Sequence, residues 1–212
     1  MRTLLSLLGA GLLLGLGLAC GGGADAPPAS TPAASGFTYT DPAAGGWRLV
    51  RNPTSTPTRL VLDLVGPAGL KSRGAAFNLQ APVGVRFGRF ADGSGVQDGG
   101  VYELLSKDTT GDPLEPKLMT AGLKPGNVLT VGLFQKDRRL EAKDSGAPLF
   151  RIALEFDPAA KIAAGAQLPL VVLKARCIAE DIGAFNVNPT LEMAAKAHAQ
   201  DFSLAVGRLR AE

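Results

Sequence analysis

From residue 36 onward, apolar residues recur at every second position in short runs separated by Gly, Pro, Asp and Asn. Leu60, Leu62 and Leu64 alternate with Val61, Asp63 and Val65. Phe77 and Leu79 alternate with Asn78 and Gln80, and Val83, Val85 and Phe87 with Gly84, Arg86 and Gly88. Leu129, Val131 and Leu133 follow the turn sequence Lys-Pro-Gly-Asn. Phe150, Ile152, Leu154 and Phe156 alternate with Arg151, Ala153 and Glu155. Further runs hold Leu168, Leu170 and Val172, then Phe202, Leu204 and Val206. A period of two, with turn residues between the runs, predicts half-buried strands of an antiparallel sandwich. Additional strands are expected at 47–50 and 101–106. Helical character is confined to 190–200, TLEMAAKAHAQ, which starts after Pro189 and is rich in good helix formers. The expected fold is therefore all-β, two antiparallel sheets face to face, with one short helix near the C-terminus. Phe150 and Ile152 are assigned to its core. The polar stretch around Arg138 and Arg139 is expected to tip a hairpin joining 128–135 to 149–156.

One run breaks this pattern. Residues 3–19, TLLSLLGAGLLLGLGLA, carry no charge and follow Arg2. A transmembrane helix needs ~20 apolar residues, and Gly9, Gly11, Gly15 and Gly17 each weaken a helix by roughly 1 kcal/mol. A basic start, an apolar stretch and small residues before a cut are the layout of a secretory signal. Its end, Leu-Gly-Leu-Ala-Cys20, runs directly into GGGADAPPASTPAAS. This resembles the lipobox of bacterial lipoproteins, in which a small residue precedes an invariant Cys. The resemblance implies cleavage after Ala19, diacylation (palmitate) of the Cys20 thiol and frequent acylation of the new amino group. Gly17 and Leu18 depart from the commonest form, which has Leu and then a smaller residue there. Gly21, where Asp would favour inner-membrane retention, points to the outer membrane of the cell envelope. Each buried methylene contributes ~0.8 kcal/mol, so two or three chains hold a domain on a bilayer where one does not. Residues 21–35 contain no large apolar side chain, as suits a disordered spacer. The expected organisation is a signal peptide at 1–19, a lipidated Cys and tether at 20–35, and a single domain at 36–212.

Within that domain, GPAGLKSRGAAFNLQAPVGVRF and GAPLFRIALEFDPAAKIAAGAQLPLVVLKARCIAEDIG resemble phrases of a cohesin domain, and the final AVGRLRAE resembles its closing strand. The resemblance implies a nine-stranded jelly-roll sandwich, shared with related carbohydrate-binding modules, that recognises a protein or a polysaccharide without catalysis. It identifies no partner-binding residue. The insert at about 91–126 departs from a compact cohesin.

Composition narrows the chemistry. The 212 residues hold 22 Lys+Arg against 19 Asp+Glu, a balance too even to argue for nucleic acid. One His and two Cys exclude multi-His or Cys-rich zinc sites and disulfide scaffolds. With Cys20 acylated, Cys177 has no intramolecular partner and reads as an inert small hydrophobe. His198 reads as solvated, since no Ser or Asp is arranged with it as a nucleophile system. No HExxH, GxSxG, P-loop or CxxC sequence occurs. The acidic loops 92–98 and 108–112 read as turns in preference to Ca²⁺ sites, because neither has the spacing of an EF-hand. Glu103, Asp108, Glu115, Glu141, Asp144, Glu155 and Glu180 could serve a glycoside hydrolase, but spacing pairs no two of them. Trp47, Tyr39 and Tyr102 are the only Trp and Tyr residues, a poor supply for sugar stacking. The expected function is a non-catalytic, lipid-anchored envelope protein that binds a protein partner and needs no metal or cofactor. Alternatives are a carbohydrate-binding lipoprotein, a structural subunit of a secretion or surface-assembly complex, and a hydrolase using loop carboxylates.

Overall fold

The computed structural model describes residues 32–102, 106–107, 113–114, 117–135, 142–179 and 199–212. Residues 1–20, with the expected signal and lipidation site, the loop 108–112, Arg138, Arg139, Glu180 and His198 lie outside them, as do Glu103, Glu115 and Glu141.

Alternation of the kind seen at 60–65 and 150–156 can bury one side only if a second sheet covers it, and two sheets form. The larger has the order β14-β13-β4-β10-β9: Ala199–Asp201, Val171–Ala179, Lys71–Gln80, Val128–Gln135 and Lys117–Lys124, with β11 (Lys143–Asp144) also on β4. The smaller has the order β2-β3-β12-β5: Arg48–Arg51, Arg59–Val65, Phe150–Phe156 and Val85–Gly88, with β6 (Gln97–Asp98) also on β12. Strands β1 (Phe37–Thr40) and β15 (Arg208–Ala211) pair with each other, as do β7 (Ser106–Lys107) and β8 (Pro113–Leu114). All these pairings are antiparallel. The sheets meet where Phe77 of β4 stacks on Phe150 of β12, ring centroids 5.7 Å apart. Leu62, Ile152, Leu79 and Leu133 are fully buried between them. At the β2 and β14 side, Trp47 stacks on Phe202 at 4.4 Å. The all-β sandwich is thus as expected, and Phe150 and Ile152 lie in its core.

Strand β3 is buried on both faces: six of its seven residues are buried, Asp63 among them. Buried charge is tolerated only when paired and hydrogen-bonded. Asp63 accepts a 2.7 Å hydrogen bond from Asn52 Nδ2 and lies 3.0 Å from Arg151 Nε on the adjacent strand. Removing one partner of such a pair strands the other charge. Arg151→Ala is therefore expected to cost about 1–3 kcal/mol in urea unfolding, whereas Asp63→Asn with Arg151→Met is expected to recover much of that loss.

Several assignments are corrected. Strands 128–135 and 149–156 do not form a hairpin, because β10 and β12 belong to opposite sheets. The strand expected around 168–172 begins only at Val171. Leu168 and Leu170 are buried ahead of it, and Leu168 N–H bonds to Leu209 O at 2.9 Å. The run 202–206 is not a ladder strand; the pairing segments are β14 before it and β15 after it. Of the expected helix at 190–200, residues 190–198 lie outside the described residues, and Ala199 and Gln200 pair in β14 with Ile178 and Cys177. The only helical element described is a 3-10 turn at Pro158–Ala160. The expected insert at 91–126 contributes β6, the β7–β8 pair and the whole of β9, so part of it belongs to the sheets. Val83, read as a core position, sits in the turn before β5 and is 83% exposed.

The chain enters and leaves the domain at one place. Ala34 N–H bonds to Ile162 O and Ala164 N–H to Pro32 O. Ser35 and Gly36 both donate to Glu212 O, and Glu212 N–H returns to Gly36 O. Residues 32–35, the end of the stretch read as spacer, are thereby bonded to the sandwich.

Candidate functional site

Among the described residues, the aspartates that a catalytic or calcium-binding reading would use hold backbone in place. Asp92 Oδ1 accepts from Ser94 N (2.9 Å) and Ser94 Oγ (2.6 Å), and these bonds hold its carboxyl below the usual range. Asp98 Oδ1 accepts from Gly100 N at 3.0 Å. Asp144 accepts from Gly69 N (2.9 Å) and Gly146 N (2.6 Å), joining two turns. Side chains that accept from a backbone N–H two residues on are turn formers. Glu155 is ion-paired with Arg59, which also donates to Arg89 O and lies over the Phe90 ring at 5.6 Å. Among the described residues, no three His, Cys, Asp or Glu side chains are grouped to hold a metal ion.

The Trp and Tyr residues are buried. Tyr39 Oη donates to Leu49 O (2.9 Å) and accepts from Gly207 N (2.6 Å), pinning β1, β2 and the approach to β15 together. Tyr102 Oη is 2.8 Å from Ser72 Oγ, which in turn accepts from Ser145 Oγ at 2.8 Å. This buried hydroxyl chain fixes the segment after β6 against the starts of β4 and the turn after β11. Burial pushes both phenols up to about 12. Cys177, on β13 opposite Ala75, is buried, and desolvation raises its thiol pKa. A thiol so placed is a weak nucleophile.

Binding potential lies on the surface instead. Among the described residues, the exposed large apolar ones are Val83, Met119, Leu123, Val171 and Leu173. On the outer side of the larger sheet, one row across the strands is Lys124, Val128, Gln80 and Val171; the next is Gly122, Thr130, Asn78 and Lys174. An irregularity between Val172 and Lys174 exposes both Leu173 and Lys174. Small residues flatten the centre: the Phe134 ring covers Gly132 and Gly74, where a Cβ would come within 2.8 Å and 2.6 Å of it. Neighbouring Arg176 pairs with Asp201. The result is a flat, mixed apolar and cationic surface at β13.

Alternation alone misassigned one of these exposed positions, Val83. A usable signal lay beside it, since Pro82 and Gly84 flank Val83. Such residues mark strand ends, where the covering sheet stops.

No protein-family model matches the chain, and no curated protein does. Among solved structures it is similar to the cohesin module from the Clostridium perfringens ATCC13124 family 33 glycoside hydrolase. That match has a TM-score of 0.38 and 7% identity, over 81% of this chain and 98% of that one.

Proposed function

We propose that this protein is a lipid-anchored, non-catalytic binding protein of the bacterial cell envelope, with a cohesin-like sandwich that engages a protein partner. The observation that carries the reading is Cys20, preceded by Leu-Gly-Leu-Ala and followed by small and polar residues. Acylation there after cleavage behind Ala19 would leave the domain outside the cytoplasm on a lipid anchor, in the outer membrane given Gly21. The engagement of Asp92, Asp98, Asp144 and Glu155 in turns and an ion pair supports a binding role over a hydrolytic one. The burial of Trp47, Tyr39 and Tyr102 leaves no Trp or Tyr ring for a sugar platform, which favours protein over polysaccharide. The exposed Leu173 beside Lys174 supplies an apolar centre with a charged border, as protein interfaces require.

The anchor is tested by feeding a labelled fatty acid to cells that express the full chain. Wild type is expected to take up label and to run at the mature size, and Cys20→Ser to remain an unlabelled precursor. Equal labelling of the two overturns the anchored reading. The binding role is tested by crosslinking the acylated full chain in envelopes. A defined protein partner captured by wild type and lost from Leu173→Asp, at unchanged melting temperature, supports it. Retention on an envelope glycan with no protein partner replaces it with carbohydrate binding.

A further inference from the structure

We infer that the end of the sandwich carrying Val83, Leu123, Lys124 and Lys161 rests on an anionic phospholipid surface, so that the lipid anchor holds the domain end-on. This rests on the proposed acylation of Cys20.

Three segments converge at that end. The chain enters the domain there, with Ala33 bridged to Ala163 and Pro32 O accepting from Ala164 N. Ile162, between those bridges and the 3-10 turn, packs directly on Gly84. That glycine has φ +84°, and a Cβ on it would fall 1.9 Å from Ile162 Cδ1. The neighbouring Val83 is thereby pushed out and is 83% exposed. Asn127 Nδ2 then donates to Ala81 O (3.0 Å) and Val85 O (2.8 Å), tying the β9–β10 turn to the Val83 turn. Just before that turn stand Leu123, 64% exposed, and exposed Lys124. Lys161 is exposed beside Ile162 in a left-handed backbone conformation.

Exposed aliphatic side chains interspersed with lysines suit the boundary between headgroups and acyl chains. The aliphatic groups enter the interface, and lysine stems lie along it while their ammonium groups meet phosphates. The covalent geometry selects this end over the other. Cys20 is 12 residues before Pro32, and a flexible linker of that length would have an r.m.s. reach of about 20 Å. The ten residues of β4 separate the Val83 turn from the opposite turn, at 66–70, by about 33 Å. An anchor tethered that closely to the entry end keeps it towards the bilayer and the 66–70 end away.

The test uses the full chain, acylated in cells, purified and reconstituted into vesicles of phosphatidylcholine and phosphatidylglycerol. Acylation at Cys20 is confirmed by mass. An environment-sensitive fluorophore is placed at Val83→Cys or, as the distal control, at Ala68→Cys; both sites are exposed, while Cys177 is buried. A lipid-borne quencher is expected to quench the label at 83 several-fold more than that at 68. Lys124→Gln and Lys161→Gln are each expected to lower the docked population about fivefold, and omission of the anionic lipid, which removes both contributions, to lower it further. Equal quenching at the two positions in acylated protein overturns end-on docking while leaving the anchor intact. Absence of acyl mass on Cys20 overturns the anchored reading and this inference with it.

Discussion

Ile152→Asp is expected to abolish the cooperative unfolding transition of the domain. Ile152 is fully buried on β12, directly opposite Leu62 of β3, in the layer where Phe150 meets Phe77. Truncating a buried aliphatic costs about 2–5 kcal/mol through lost burial and the cavity left behind. A carboxylate in its place has no partner, and an unpaired buried charge adds several kcal/mol more. Those sums match the roughly 5–15 kcal/mol total stability of a domain. Circular dichroism melting checks this, with Gln97→Asp, exposed on β6, as a charge control that should leave the melt unchanged. A soluble, cooperatively melting Ile152→Asp variant would overturn the register in which Phe150, Ile152 and Leu154 face inward.

Alkaline pH is expected to unfold the protein in a narrow window. Tyr39 and Tyr102 are raised from 10.0 to about 12, desolvation being the largest cause for each. The unfolded chain releases these protons near pH 10, whereas the folded chain retains them to about pH 12. Between those values the native state binds more protons than the unfolded state, so stability falls as pH rises. It is fully present below pH 10 and lost by pH 12. Each phenol contributes of order 2–3 kcal/mol over that span. These are the chain's only two tyrosines, so phenolate ultraviolet absorbance reads these sites alone. Absorbance and circular dichroism are expected to change together, late and steeply. A phenolate titration complete near pH 10 with the fold intact would show that the two hydroxyls are open to water. Tyr39→Phe with Tyr102→Phe should flatten the alkaline limb while lowering stability at neutral pH by about 1 kcal/mol for each lost hydrogen bond.

The sheets were legible in the sequence wherever alternation coincided with burial by the opposite layer. Runs 60–65, 77–80, 85–88, 128–135 and 150–156 lie within strands, because each had a partner face to cover its apolar side. What alternation does not carry is which strands are neighbours. β10 and β12 are separated by one polar stretch, as hairpin partners are, yet they lie in different sheets because β10 finds β4 and β9 on its two sides. Nor does it carry where a covering sheet ends, and so Val83 looked like core. Strand β9 escaped notice because Gly122 and Thr120 interrupt a run of modest hydrophobicity. The hydroxyl chain Tyr102–Ser72–Ser145 joins residues far apart in sequence, and nothing local announces it. The proposed lipidation site is the reverse case: Ala19 and Cys20 are argued wholly from local sequence and wait on acyl labelling, not on the fold.

The clasp between Phe37–Thr40 and Arg208–Ala211 has a consequence for how the protein is made. Phe37 pairs with Ala211 and Thr38 with Arg210, so the first strand of the sandwich gains its ladder partner from the last. A chain emerging N-terminus first from a ribosome presents β1 long before that partner exists. Until residues 208–211 arrive, Phe37 and Tyr39 have neither their ladder nor Leu209 to cover them, and closing so long a loop is slow. The two main sheets can pair without β15, so the β1–β15 clasp is the last ladder to close.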